Sequence, residues 1–190
     1  MKTFRIDDVC INTEPKKFLN MLEALDKKYN KCNFLLGVSP LVNDMSGTDG
    51  VKKERIFPSI FNAYSDHRVF YNVEKLGLPN VLEQVVDLYK TRVILASHGL
   101  VHVDHRLLTK EVQEFSILVS CSLTKTNCFI PPFNKYDKNT IEICKEKNIK
   151  LIKFEDGWRH IKYEKITDNF ENYYFHTHDF TEEEFKKTIG

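Results

Sequence analysis

Apolar positions along this chain follow two rhythms: short runs too brief for helices alternate with longer stretches whose apolar residues recur every three or four positions. That alternation predicts successive strand–helix units and a largely parallel sheet or barrel. Residues 2 to 9 (KTFRIDDV), 32 to 40 (CNFLLGVSP), 92 to 98 (RVILASH), 127 to 133 (NCFIPPF), 150 to 156 (KLIKFED) and 172 to 179 (NYYFHTHD) read as strands. A first helix opens at Glu14-Pro15 and runs to about Asn30, with Phe18, Leu22 and Leu25 on its inner face and lysines outside. Residues 79 to 91 form a second, with proline at its start. Residues 109 to 123 form a third, and residues 137 to 148 a fourth, with Asp137 as its N-cap. Thr181 and Glu184 stand at capping-box spacing for a terminal helix. Residues 41 to 78 read as irregular, with NDMSGTDG as a surface loop and RIFPSIFNAYSDHRVF too aromatic for disorder. No repeat or linker breaks the pattern, so residues 1 to 190 are expected to form one domain.

Composition narrows the partners. With 42% hydrophobic residues in 190 the chain can bury a core. Lys plus Arg number 28 against 27 Asp plus Glu, and neither sign gathers into a long block, so no nucleic-acid partner is expected. Five cysteines without a C-x-x-C pair argue against a disulfide framework or an all-thiolate metal site, and for scattered buried thiols. No segment approaches the roughly 18 to 20 apolar residues of a membrane span. The N-terminus places Asp7-Asp8 ahead of any signal-like apolar stretch. A soluble, cytoplasmic protein is the expectation.

Chemistry-capable residues collect where the predicted strands end: Asp7-Asp8, His98 and His102, Pro132-Phe133, Asp156 to Trp158, and His176 to Asp179. If the strands are parallel, these endings share one rim. His98 and His102 are four positions apart, a spacing at which one turn or tight loop aims both imidazoles at one ion. With Asp8 they make a two-histidine, one-carboxylate set suited to zinc, iron, cobalt or manganese. The same histidines could instead satisfy backbone groups at a strand-to-helix turn, with His105 a third ligand or a solvent-facing neighbour. Side chains of successive strand residues face opposite ways, so Asp7 joins Asp8 only where the strand is ending. There it could serve as a general base; otherwise it is an exposed ion-pair partner or cap. His176 and His178 alternate onto one face of the last strand, and His178, nearer the mouth, could donate a proton.

FRIDDV, SHGLVH, IPPF, DGW and FHTHD, in that order, resemble the motifs of the polysaccharide deacetylase superfamily, the NodB-homology domain of carbohydrate esterase family 4, over about residues 4 to 180. The resemblance implies an α/β fold, a compact irregular parallel (β/α) barrel of about six to seven strands. It implies removal of acetyl from an N-acetylated sugar or sugar conjugate by water activated at a divalent metal, zinc before cobalt, manganese or iron. Asp7 would be the base, His178 the acid, and Asp8, His98 and His102 the metal ligands. Pro132 and Phe133 would wall a substrate groove, with Trp158 and His176 also toward substrate. Two positions depart from the pattern: Gly99 stands where Ser or Thr is usual, and Ile130 where an Arg orients the base. Asn134, Lys135 or Arg159 are the candidates to replace that Arg. A noncatalytic carbohydrate-binding or regulatory protein on the same barrel is the alternative. A glycosidase pairing Asp7 or Asp8 with Glu155 or Asp156 is a third reading.

Overall fold

The computed structural model of the chain describes residues 1–10, 12–43, 73–76, 78–100 and 102–190. In chain order its elements are β1 (Thr3–Val9), α1 (Pro15–Lys28), β2 (Asn33–Val38), β3 (Leu41–Asn43), β4 (Val73–Leu76), α2 (Val81–Tyr89), β5 (Val93–Ser97), α3 (Lys110–Leu123), β6 (Cys128–Phe129), α4 (Lys138–Glu146), β7 (Lys150–Leu151), β8 (Arg159–His160), β9 (Asn172–His176) and α5 (Glu182–Ile189). Seven strands form a curled sheet in the order β7-β6-β5-β2-β1-β9-β8. Every pairing in it is parallel, so all seven strands end at the same rim. This is the compact half-barrel form of the expected α/β architecture, with β2 at the centre and β1 beside it, between β2 and β9.

Alternation along β1 sorts its residues between two layers. Phe4 and Ile6 join Phe18, Leu22, Phe34, Leu36, Val81, Val85, Phe175 and Phe185 in the main core between the sheet and α1, α2 and α5. A smaller cluster of Ile117, Cys121, Phe129, Ile143 and Cys144 seats α3 and α4 on β6. On the opposite, concave side, Leu35, Ala96, Ile130 and Ile152 pack with Trp158. Arg5 and Asp7, both fully buried, are also off the helix-covered core. Charged side chains at such positions need internal partners, because water cannot solvate them there.

The helix boundaries follow their caps. Glu14 accepts from the amides of Lys16 and Lys17, and Asp137 and Thr181 close capping boxes with Thr140 and Glu184. Strands β6 and β7 are shorter than the apolar runs suggested. Pro131 and Pro132 lack the amides a continuing ladder needs, and residues Pro132–Asn134 turn into a 3-10 helix. Phe154–Asp156 do the same after β7. The two-residue β8 has too little sequence to show any alternation. In the stretch read as irregular, β3 and β4 pair antiparallel. The rest of NDMSGTDG beyond Asn43, and all of RIFPSIFNAYSDHRVF, lie outside the described residues. All five cysteines are free, with Cys32, Cys121 and Cys144 buried. Among the described residues no helix is long and apolar enough to cross a membrane.

Candidate functional site

The end of β1 overcomes the parity of the strand. Ile6 pairs with Leu36 and Val9 with Val38, so three steps on β1 oppose two on β2. This extra residue is a bulge, and Asp8 within it adopts φ 61°. Left-handed backbone costs a residue with a Cβ about 1–2 kcal/mol. The bulge brings consecutive carboxylates toward one group of histidines, which a regular strand could not do.

Asp8, His98 and His102 place one ligand atom each within 4.8 Å of one another. Asp8 Oδ1 is 3.4 Å from His98 Nε2 and 3.2 Å from His102 Nε2. Those separations match the edge of a tetrahedron whose centre is ~2.0–2.1 Å from each corner, about 3.3–3.4 Å. Protonation favours the same reading. His98 Nδ1–H donates to the Ile130 carbonyl at 2.9 Å, while the buried Nε2 has no properly aligned hydrogen bond among the described residues. In neutral His98 the Nε2 lone pair therefore faces the Asp8 carboxylate, and two acceptors at this distance repel unless a cation lies between them. Burial, reinforced by nearby His98, pushes His102 down to about 4, which leaves its lone pair free at neutral pH. Burial alone would raise the Asp8 carboxyl; the His98 and His102 imidazoles outweigh it and hold Asp8 well below the usual range. Thus one His98 nitrogen satisfies a backbone group, and the other is turned on Asp8.

Asp7 is neither exposed nor a helix cap. Arg5 Nε donates to Asp7 Oδ1 at 2.9 Å and Arg5 Nη2 to Oδ2 at 2.6 Å, with both side chains fully buried. The same Nη2 donates to Asn134 Oδ1 at 2.6 Å. Burial alone would raise the Asp7 carboxyl, but the Arg5 guanidinium outweighs it and keeps Asp7 ionised. Among the sequence candidates for this cation, Asn134 reaches Arg5, whereas Lys135 faces Asp104 and Arg159 faces Glu164. The partner is Arg5, two residues upstream on the same strand face. A Cβ at Gly37 would stand 2.8 Å from Asp7 Oδ1 and 3.4 Å from Ile130 Cδ1. Gly37→Ala is therefore expected to destabilise the fold by about 1–3 kcal/mol through overpacking, read as a lower denaturant midpoint with an unchanged slope. An unchanged midpoint would mean that Asp7 shifts freely, against the fork that holds it.

His176 ends β9 directly beside Asp7 in register. Its backbone amide and its Nδ1–H both donate to Asp179 Oδ2, at 2.7 and 3.0 Å. His160 Nδ1 accepts from the Lys162 amide, which leaves its Nε2–H for Asp179 Oδ2 at 3.1 Å. Burial alone would lower the His176 imidazole; the Asp179 hydrogen bond and the charges of Asp7 and Asp8 outweigh it and raise it. His178 lies past the strand, with 71% of its side chain exposed and Nδ1 3.5 Å from Asp8 Oδ2. It stacks on His176 at 5.4 Å and lines a cavity of about 210 Å³ with Asn12, Thr13, Lys17 and Thr177. His160, His176 and Asp179 could also group around an ion, but the hydrogen bonds they exchange already occupy the facing atoms.

The remaining candidates divide. Phe133 packs against His102 with ring centroids 4.3 Å apart and the planes tilted at 57°, and Pro132 is buried; Phe133 and Asn134 both take φ 56°, a bend that aims one at His102 and the other at Arg5. Trp158 is 5.9 Å from the Arg5 guanidinium, with a buried Nε1–H unpaired among the described residues. Asp156 and Glu155 are exposed and committed locally, to the Lys153 amide and the Tyr136 hydroxyl. His105 is neither a ligand nor solvent-facing: it is buried, 3.2 Å from Ser116 Oγ, and burial pushes it down to about 3. Gly99 has φ 81°, which accounts for glycine where a hydroxyl residue was the expected neighbour. Sequence reasoning missed Arg5 and His160. Arg5 had a usable signal, its i, i+2 spacing to Asp7 on a strand.

No family model matches the chain, and no curated protein matches it in sequence. Solved structures do match in fold. A family 4 carbohydrate esterase from Streptomyces lividans, in complex with acetate, is 9% identical with a TM-score of 0.58, over 99% of this chain and 83% of that one. A family 4 pseudoenzyme from Bacillus anthracis is 13% identical with a TM-score of 0.56, over 100% of this chain and 59% of that one. A mutant of that pseudoenzyme with restored enzymatic activity matches at the same TM-score. At these identities the likeness establishes a fold of the carbohydrate esterase family 4 type.

Proposed function

We propose that this chain is a metal-dependent hydrolase that removes acetyl from an N-acetylated sugar or sugar conjugate. The observation that carries the reading is the buried His98 Nε2 turned on Asp8 beside His102, with a second, fork-held carboxylate at the adjacent Asp7. Asp8, His98 and His102 would hold one divalent ion, zinc being the best match to two imidazoles and a carboxylate. When bound, the ion supplies Lewis acidity toward water and the amide carbonyl. Asp7, outside the ligand set, takes the proton of the attacking water. His176, beside Asp7 and raised in its affinity for protons, is better placed than His178 to protonate the departing amine. Asp179 and His160 fix its ring. Exposed His178 borders the cavity and reads as a substrate-side group, together with Phe133, Pro132 and Trp158. The esterase neighbour's bound acetate supports the acyl group chosen.

The first test is metal content by elemental analysis after incubation with zinc, cobalt, manganese or iron. Near one ion per chain is expected in the wild type, falling below about a tenth of that in His98→Ala and Asp8→Ala, since each loses one of three protein ligands. A wild type that binds none of the four sinks the reading. The pseudoenzyme neighbour makes a noncatalytic carbohydrate-binding role the second reading. A metal-loaded protein that releases no acetate from a panel of N-acetylated hexosamines and N-acetylglucosamine oligomers would favour it.

A further inference from the structure

We propose that Arg5 is the positioning residue of the Asp7 base, supplied from the base's own strand, so that the apolar Ile130 does not signify a lost activity. The inference rests on the deacetylase reading and deepens it. Arg5 fixes both oxygens of the carboxylate at once, Nε to Oδ1 at 2.9 Å and Nη2 to Oδ2 at 2.6 Å, which removes the freedom of the carboxylate to rotate. Its Nη2 also reaches Asn134 at 2.6 Å, which ties the fork to the loop that sets Phe133 against His102. The guanidinium lies near the rings of Tyr174 and Trp158, at 5.5 and 5.9 Å from their centroids. A planar cation suits that arrangement and an ammonium does not.

Packing alone gives no reason for this pair. A buried ion pair costs desolvation of both partners, and apolar residues of similar volume commonly serve stability as well or better. Here the pair lies beside an apolar cluster of Leu35, Ala96, Ile130 and Ile152 that could have been continued through these positions. It stands instead where a carboxylate must stay charged and aimed, one residue from a candidate metal ligand. Charge balance agrees: a cation held by Asp8 and the histidines would compensate Asp8, and Arg5 compensates Asp7. Across Asp7, the space belongs to Gly37 and the Ile130 side chain. In this chain β1 itself supplies the orienting cation.

The test compares Arg5→Met, Arg5→Lys, Asp7→Asn, Arg5→Met/Asp7→Asn and Arg5→Met/Ile130→Arg, all metal-loaded, for metal content and for acetate release from an N-acetylglucosamine oligomer. Arg5→Met is expected to keep the metal and lower kcat by about 10²-fold, with KM changed less than about threefold. Lysine, a charge without a fork, should restore only part. Removing Arg5 in the Asp7→Asn background should cost nothing further, because Arg5 acts through Asp7; that double variant also lacks the unpaired buried charge and so controls for folding. Restoration of kcat by Ile130→Arg would support the proposal strongly. An active wild type with full kcat in Arg5→Met, or an equal additional loss in the Asp7→Asn background, overturns the proposal and leaves the deacetylase reading standing. A wild type that binds metal but releases no acetate overturns both, since there is then no base to position.

Discussion

Replacing Asp7 by Asn is expected to lower kcat for acetate release by about 10²–10⁴-fold, the range of a lost general base, with bound metal unchanged. The substitution keeps the shape of the side chain and its place at the bulge, but an amide oxygen does not take a proton near neutral pH. Asn offers one acceptor oxygen where Asp7 offers two, and its NH2 group sets a donor against the other Arg5 nitrogen, so the fork is also broken. Because Arg5 is then a buried cation without its counter-charge, a loss of about 3–5 kcal/mol of stability should accompany the kinetic effect. Circular dichroism and metal content on the same preparation keep the two apart. Equal loss of metal and activity would make Asp7 a ligand instead of a base. Full activity would place the base elsewhere.

The distribution of what the sequence revealed follows from range. Strands β1, β2, β5 and β9 and the five helices among the described residues have enough residues for periodicity to speak, and the caps of α1, α3, α4 and α5 are encoded within two or three positions. Strands β6, β7 and β8 consist of two residues each, so only pairing with neighbours defines them. The strand-end placement of Asp8, His98 and His102 was legible because a parallel sheet sends every strand end to one rim. Which atoms remain free was not: the Ile130 carbonyl that occupies His98 Nδ1 is 32 residues away. His105 shows the same blindness from the other side, since nothing in VDHRLL tells of the Ser116 hydroxyl and Phe129 ring that enclose it. Arg5 was the most readable of the omissions. The expected cation position, Ile130, points downstream to Asn134, Lys135 and Arg159, whereas period-two alternation sets Arg5 on the same strand face as Asp7.

Asp179→Ala is the second large effect expected, and its pH dependence identifies the cause. The Asp179 side chain is 10% exposed and its Oδ2 alone receives His176 twice and His160 once. Removing it leaves two imidazoles and one amide without their acceptor, a loss on the scale of about 3–5 kcal/mol for a broken buried pair. Burial alone would raise this carboxyl; the hydrogen bonds from His160 and His176 outweigh it and hold it far below the usual range. Its folded affinity for protons is thus below the unfolded one, so its contribution is complete above the unfolded value of about 3.9 and is lost as pH falls from there. His176 is shifted the opposite way, so its share is complete below the unfolded value of about 6.5 and is lost as pH rises through its raised folded value. The stability difference between wild type and Asp179→Ala should therefore be greatest between about pH 4 and pH 6.5, and shrink on both sides. Denaturant titrations in chelator-treated protein at a series of pH values measure it without interference from bound metal. A difference that does not vary with pH would mean that Asp179 acts by packing alone. In that case the ring of His176 has no charged partner to set its orientation, and its assignment as the acid falls with it.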